Sequence, residues 1–157
     1  MYFKEFEIRW SDVDANRHLA NSAYVNFMGH TRMAFLIKMG FDEKAMAKYN
    51  IGPVVFYEHI YYFKEVFLGQ TVRVSMEIMG LSEDGKFFEF HHNFYNAKGE
   101  NFAHGEMMGS WIDLKTRKLQ GLDAIFLKRF EDMDKADGFR TLTKEDTRRF
   151  IKIPKHL

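Results

Sequence analysis

The sequence predicts an α+β fold in which one long helix packs on an antiparallel sheet. Three observations carry this. A single strand-like segment precedes a long helix-spaced one. Four strand-like segments then follow in succession with turn signals between most of them. The 157 residues are enough for one hydrophobic core and no second module.

From Tyr2 to Trp10 the even positions Tyr2, Lys4, Phe6, Ile8 and Trp10 form a mostly apolar face against Phe3, Glu5, Glu7 and Arg9, the alternation of a half-buried strand. The polar stretch Ser11 to His18 reads as a loop. Asn21 or Ser22 is a suitable cap for a helix whose apolar positions are Tyr24, Phe27, Met28, Thr31, Ala34 and Phe35, and Lys38-Met39-Gly40 supplies its stop. Gly29 lies mid-helix, where glycine costs up to about 1 kcal/mol against alanine, so a close helix–sheet approach is expected there. A shorter helix is expected over Asp42 to Tyr49.

Strands follow at Val54–Phe63, Thr71–Met79, Lys86–Asn96 and Phe102–Asp113, separated by Gly69-Gln70, the hairpin signal Asp84-Gly85, and Lys98-Gly99. Leu122 to Met133 reads as an amphipathic helix, and a polar tail begins at Ala136. From Arg140 onward that tail holds six Lys/Arg against two acids. A lone copy would leave a sheet face and a long edge strand poorly covered, so pairing with another subunit is expected.

Composition removes several function classes. Lys and Arg number 23 against 22 Asp and Glu, without the basic excess of a general nucleic-acid binder. The absence of cysteine excludes disulfides, zinc–thiolate sites and thiol nucleophiles. No apolar run approaches a membrane span, and the first residues lack the pattern of a secretory signal, so a cytoplasmic protein without membrane partners is expected. Aromatic residues make up 17%, with 17 Phe and 10 Met, suited either to a bulky core or to a groove for an acyl or aryl chain.

No phosphate loop, nucleophile elbow or H-E-x-x-H metal pattern occurs, and no metal site is expected from spacing, although distant ligands can meet in space. Adjacent His91 and His92 point to opposite faces of a strand. What remains is the loop before the long helix. Asp12 and Asp14 lead into a helix start near Asn21, whose free N–H groups suit an oxygen that gains negative charge during acyl transfer. A carboxylate beside that point can activate water or attack directly; as plain loop or capping residues the same aspartates need no further role.

The run Arg9-Trp10-Ser11-Asp12-Val13-Asp14-Ala15-Asn16-Arg17-His18-Leu19-Ala20-Asn21-Ser22-Ala23-Tyr24 resembles the opening motif of hotdog-fold acyl-CoA thioesterases of the 4-hydroxybenzoyl-CoA thioesterase type. Arg9, Asp12, Asp14, His18, Asn21, Tyr24 and Arg32 fall in register with it. Weaker marks follow at Val54, Val55, Tyr62, Gly69 and Asp113-x-x-Thr116-x-Lys118. The resemblance covers roughly residues 3–120 and implies a hotdog fold, a curled sheet around one central helix; with the short C-terminal helix this gives a domain over 1–135, followed by a basic tail over 136–157. It further implies dimers or tetramers, an active site at the dimer interface, and hydrolysis of acyl-CoA to free acid and CoA without any cofactor. By the same resemblance Asp14 is the catalytic base or nucleophile, and the Asn21 N–H polarises the thioester carbonyl.

Arg17 stands where the motif has glycine, a position suited to an unusual backbone angle. The segment Asn21–Phe41 holds no acid, so chemistry must come from the loop. His18, Tyr24, Glu58, His59 and Lys64 are candidate substrate contacts. His18 otherwise serves the loop, Tyr24 the packing, and Glu58 and His59 a solvated strand face. Lys115, Arg117 and Lys118 join Lys64 as possible partners of CoA phosphates. The alternatives are a thioesterase acting on an acyl carrier protein, whose acidic surface suits the basic tail, and a non-catalytic acyl-thioester binding protein.

Overall fold

The computed structural model describes residues 1–157 as one seven-stranded sheet and three α-helices. Strand β1 (Tyr2–Glu7) leads through a 3-10 turn at Trp10–Asp12 to α1 (Asn21–Lys38) and α2 (Glu43–Tyr49). Strands β2 (Ile51–Tyr62), β3 (Thr71–Leu81), β4 (Phe87–Tyr95), β5 (Asn101–Asp113) and β6 (Leu119–Gln120) precede α3 (Ala124–Glu131) and β7 (Arg140–Thr141).

The five main strands lie in the order β1-β3-β4-β5-β2, all neighbours antiparallel. The expected hairpins join β3 to β4 and β4 to β5, but β2 and β3 are not neighbours. Both edges of β3 are occupied, by β1 and β4, so β2 crosses to pair with β5. It forms the far edge, with Val55, Phe56, Tyr61 and Tyr62 exposed.

In β1 the even residues face inward as expected, and Ile8 just beyond it is buried, but the alternation stops where the chain tightens into the 3-10 turn and Trp10 is 79% exposed. The cap of α1 is Ala20, one residue earlier than expected, and no side chain caps the helix. The buried stripe Ala23, Tyr24, Phe27, Met28, Thr31, Phe35 and Leu36 follows helical spacing. The helix ends before Gly40, whose φ of +82° suits glycine.

The close approaches lie not at Gly29 but at two glycines of β5. A Cβ at Gly105 would sit 2.6 Å from Met28 Sδ, and one at Gly109 would sit 2.6 Å from the Val54 carbonyl oxygen. Gly29 instead borders an apolar cavity of about 190 Å³ together with Met33, Leu36, Phe88, Phe90 and Met107.

Two apolar clusters fill the space between helices and sheet. One joins Ile8, Tyr24, Phe27, Met28, Phe94 and Phe102 near the start of α1. The other gathers Phe35, Phe41, Phe90, Trp111, Phe126 and Phe130 under α3. Nine of the 17 Phe are buried, so packing accounts for about half of the aromatic excess. Each such ring contributes about 1.5–3 kcal/mol over an exposed one. Phe41, wholly buried, stacks on Trp111 at 5.1 Å and anchors α3 to the sheet.

The segment after α3 also joins the sheet. Strand β7 runs parallel to β3 beside Gly80 and Leu81, and Leu142 is buried over Gly80. Arg140 bonds Glu89 at 2.5 Å and also reaches Asp146. The last residues, 151–157, are exposed and carry no secondary structure. No helix of the chain is long and apolar enough to cross a membrane.

His92 is wholly buried on the inner face of β4. Its Nδ1 lies 2.8 Å from the Ser75 carbonyl, and the Ser75 hydroxyl accepts from the Asn93 N–H at 2.8 Å. These side-chain bonds bridge β3 and β4 where the ladder skips Ser75 and Met76. Burial, then the nearby Arg32 cation, pushes the imidazole down to about 3. A depressed folded-state value means that the fold excludes the proton, so this stability is whole above the unfolded value near 6.5 and erodes as pH falls below it. Between pH 7 and pH 5 the wild type is expected to lose about 1–2 kcal/mol more than His92→Gln, read from urea midpoints at each pH.

Candidate active site

The loop between β1 and α1 is held at both ends. Arg9 grips Asp12 through Nε to Oδ2 and Nη2 to Oδ1, both at 3.0 Å, and its backbone N–H donates to Oδ2 at 2.9 Å. Those bonds hold the Asp12 carboxyl below its usual range. Further along, the Leu19 N–H donates to the Val66 carbonyl at 2.7 Å and the Ala20 N–H to the Asp12 carbonyl at 2.8 Å. Short bridges pair Val13 with Leu19 and His18 with Phe67. Arg17, in place of the motif glycine, adopts φ +66°, the left-handed conformation that glycine takes without strain.

Behind this loop lies a cleft of about 330 Å³. Five of the sequence-derived candidates line it: Asp14, His18, Asn21, Tyr24 and Lys64. Asp14 is exposed. Its Oδ1 accepts from the backbone N–H groups of Asn16 at 2.8 Å and His18 at 3.3 Å, while Oδ2 has no partner within the chain. One oxygen therefore shapes the turn and the other remains available. Asn21 is the first residue of α1, where backbone N–H groups lack helical acceptors and no side chain substitutes.

The His18 ring turns from Asp14 toward Glu65, with Nε2 3.4 Å from its carboxylate, and lies edge-on to Phe67. Tyr24 is 3% exposed, edge-on to Tyr62 at 4.9 Å, and burial pushes its phenol up to about 12. Lys64 stands exposed at the rim. The remaining wall includes Tyr62, Phe63, Glu65 and Val66 from the end of β2 and the segment after it. Sequence reasoning missed these because no local pattern ties that segment to a loop some fifty positions earlier.

Glu58 and His59 are not in this cleft. They lie mid-strand in β2 on opposite faces of the sheet, and the cleft draws only on the end of that strand. Glu58 turns inward to Arg32 on α1, 2.8 Å away and largely buried, though not aligned as a hydrogen bond. Burial draws the Arg32 guanidinium down, against the pull of Glu58. His59 turns outward and packs against Phe150 at 4.4 Å. Lys115, Arg117 and Lys118 lie in the turn after β5, outside the cleft. The Asp113-x-x-Thr116 mark proves to be its scaffold, with Asp113 Oδ1 accepting from the Lys115 and Thr116 N–H groups at 2.9 and 2.6 Å.

A sequence profile of the thioesterase-like superfamily matches residues 8–156. The chain belongs to this superfamily. Among curated proteins, it is similar to the L-carnitine dehydrogenase/betainyl-CoA thioesterase of Agrobacterium fabrum, 27% identical over 122 residues. That match covers 78% of this chain but only 25% of the longer relative, so the superfamily member spans about a quarter of that protein. Its fold is shared with a DHNA-CoA thioesterase from Staphylococcus aureus, with a TM-score of 0.73, 24% identity and coverage of 82% and 85% of the two chains. A second Staphylococcus aureus protein, solved in complex with CoA, aligns with a TM-score of 0.78 and 19% identity over 97% of this chain and 94% of that one. A 1,4-dihydroxy-2-naphthoyl-CoA thioesterase from Synechocystis gives 0.74 and 14% over 86% and 98%. The common architecture is of hotdog type, a curled antiparallel sheet with helices on one face, three of them in this thioesterase-like chain.

Two consequences are measurable. Arg17→Gly relieves the left-handed strain and is expected to raise unfolding stability by about 1 kcal/mol in urea titrations. Glu58→Gln leaves a sheltered guanidinium without its counter-charge and is expected to cost about 2 kcal/mol of stability, with a smaller effect on KM than on the unfolding midpoint.

Proposed function

We propose that the protein hydrolyses acyl-CoA thioesters to the free acid and CoA, with Asp14 as the reacting carboxylate. The observation that carries this is the unpartnered Asp14 oxygen in the same cleft as the uncapped first turn of α1 and the Lys64 ammonium. A thioester carbonyl placed between them would receive the Asn21 N–H on its oxygen, and the helix end would stabilise the charge that grows there. The Asp14 carboxylate then has two routes. As a general base it takes a proton from water as the water oxygen bonds the carbonyl carbon, and the C–S bond breaks to release CoA thiolate, which is reprotonated. As a nucleophile it bonds the carbonyl carbon itself, expels the thiolate and leaves a mixed anhydride for water to cleave.

Lys64 is suited to a CoA phosphate, and the acyl group would lie beside α1. His18, held by Glu65, is a wall and contact residue of the cleft, and Tyr24 forms its floor. The relatives support CoA as the carrier: two are thioesterases of betainyl-CoA and DHNA-CoA, and a third was solved in complex with CoA. The chemistry requires no cofactor. The exposed edge of β2, with Phe56, Tyr61 and Tyr62 along it, is where a second subunit would add its own strand to give a dimer, itself a building block for a tetramer. A cytoplasmic setting fits the cysteine-free sequence.

A thiol-release assay over short, medium, long and aromatic acyl-CoAs is expected to find at least one good substrate. Asp14→Asn is expected to lower kcat by at least 10³-fold without changing the fold or oligomer. Asp12→Asn acts through loop stability and is expected to cost far less. Equal turnover by Asp14→Asn and wild type, or no thiol release from any acyl-CoA tested, would overturn the assignment.

A further inference from the structure

We propose that the outer face of the sheet, opposite the helices, carries a site for a first-row divalent metal ion, held by His91, His104 and Glu106. The three residues stand on adjacent strands β4 and β5. His91 pairs directly with Glu106 across the ladder, and His104 lies two residues earlier on the same face. One ligand atom from each falls within 4.8 Å of the others. The two imidazoles meet edge to face at 5.1 Å, and all three side chains are three-quarters or more sheltered from solvent. Two imidazoles and one carboxylate suit zinc, cobalt or nickel, whereas magnesium and calcium favour all-oxygen sets.

The surroundings prepare His104 to act as a ligand. Asn93 Nδ2 donates to Glu77 Oε1 at 2.9 Å, and the Ser75 hydroxyl donates to the same oxygen at 2.8 Å. A carboxylate only accepts, so the amide nitrogen of Asn93 must face Glu77 and its oxygen must face His104 Nδ1, 2.9 Å away. That oxygen in turn needs a proton from Nδ1. The lone pair of His104 therefore sits on Nε2, which lies 3.8 Å from Glu106 Oε1. An outer hydrogen bond that fixes the tautomer and ring orientation is the usual support of a metal-bound histidine.

Charge balance points the same way. Glu77, Glu89 and Glu106 share this face, and of the three only Glu89 is paired with an arginine or lysine, Arg140. Glu89 Oε1 is also 3.4 Å from His91 Nε2, which makes it the nearest protein candidate for a fourth ligand, with water as the alternative. The cluster uses no residue of the Asp14 cleft, so a bound ion would brace β4 against β5 and take no part in thioester chemistry.

The test uses the full chain, freed of any affinity tag and dialysed against chelator, titrated calorimetrically with zinc chloride. One equivalent is expected to bind with a micromolar or tighter Kd and to raise Tm by about 5 °C at a hundredfold excess over Kd. His104→Ala and Glu106→Gln are each expected to weaken binding at least tenfold, and the positioning variant Asn93→Leu about tenfold. His30→Ala, at an exposed histidine of α1, should leave it unchanged. Cobalt added to the wild type should give a visible absorption band that zinc abolishes, a readout that does not depend on whether any variant folds. Failure of wild type to take up zinc at 100-fold over protein, absence of the cobalt band, or equal weakening by His30→Ala and His104→Ala would each overturn the proposal.

Discussion

Two backbone hydrogen bonds decide where α1 begins, and the rest of the cleft depends on them. Leu19 donates to Val66 and Ala20 to Asp12, so the chain is tied on one side to the segment after β2 and on the other to its own loop. Both bonds use N–H groups just ahead of the helix, and neither blocks the first-turn donors that begin at Asn21. Arg9 secures the same loop by holding both oxygens of Asp12, whereas its neighbour two residues on, Asp14, keeps a free oxygen. Two aspartates alike in sequence thus acquire different roles from their hydrogen-bond partners.

The sheet separates two environments through its period of two. Its inner face is aromatic and carries α1 and α3, with the Arg32–Glu58 pair and neutral His92 as its sheltered polar elements. Its outer face is a ladder of carboxylates, imidazoles and amides whose hydrogen bonds run across β3, β4 and β5. One residue of displacement moves a side chain from one world to the other. Glu58 and His59, adjacent in the chain, end up on a helix arginine and on Phe150 respectively. His91 and His92 divide in the same way.

Some signals were readable but pointed to a different cause. The mid-helix glycine suggested close packing, yet Gly29 opens an apolar cavity while Gly105 and Gly109 make the tight contacts. The aspartate-threonine mark after β5 is a turn scaffold. The basic segment after α3 contributes β7 and the buried Leu142 before its last residues run free. Polar composition concealed this, because a two-residue strand and a single anchoring leucine leave almost no periodic trace.

Local rules were sufficient for the five main strands and the three helices, for the inward stripe of α1, and for the loop motif with Asp14, His18 and Asn21, because hydrophobic period and motif spacing are properties of neighbouring residues. The partner of β2, the Glu65 beside His18, and the meeting of His91, His104 and Glu106 arise only when distant strands align. Which strands flank β3, and which residues of β4 and β5 came to face one another, was fixed by sheet order and ladder register, and no stretch of chain contains either.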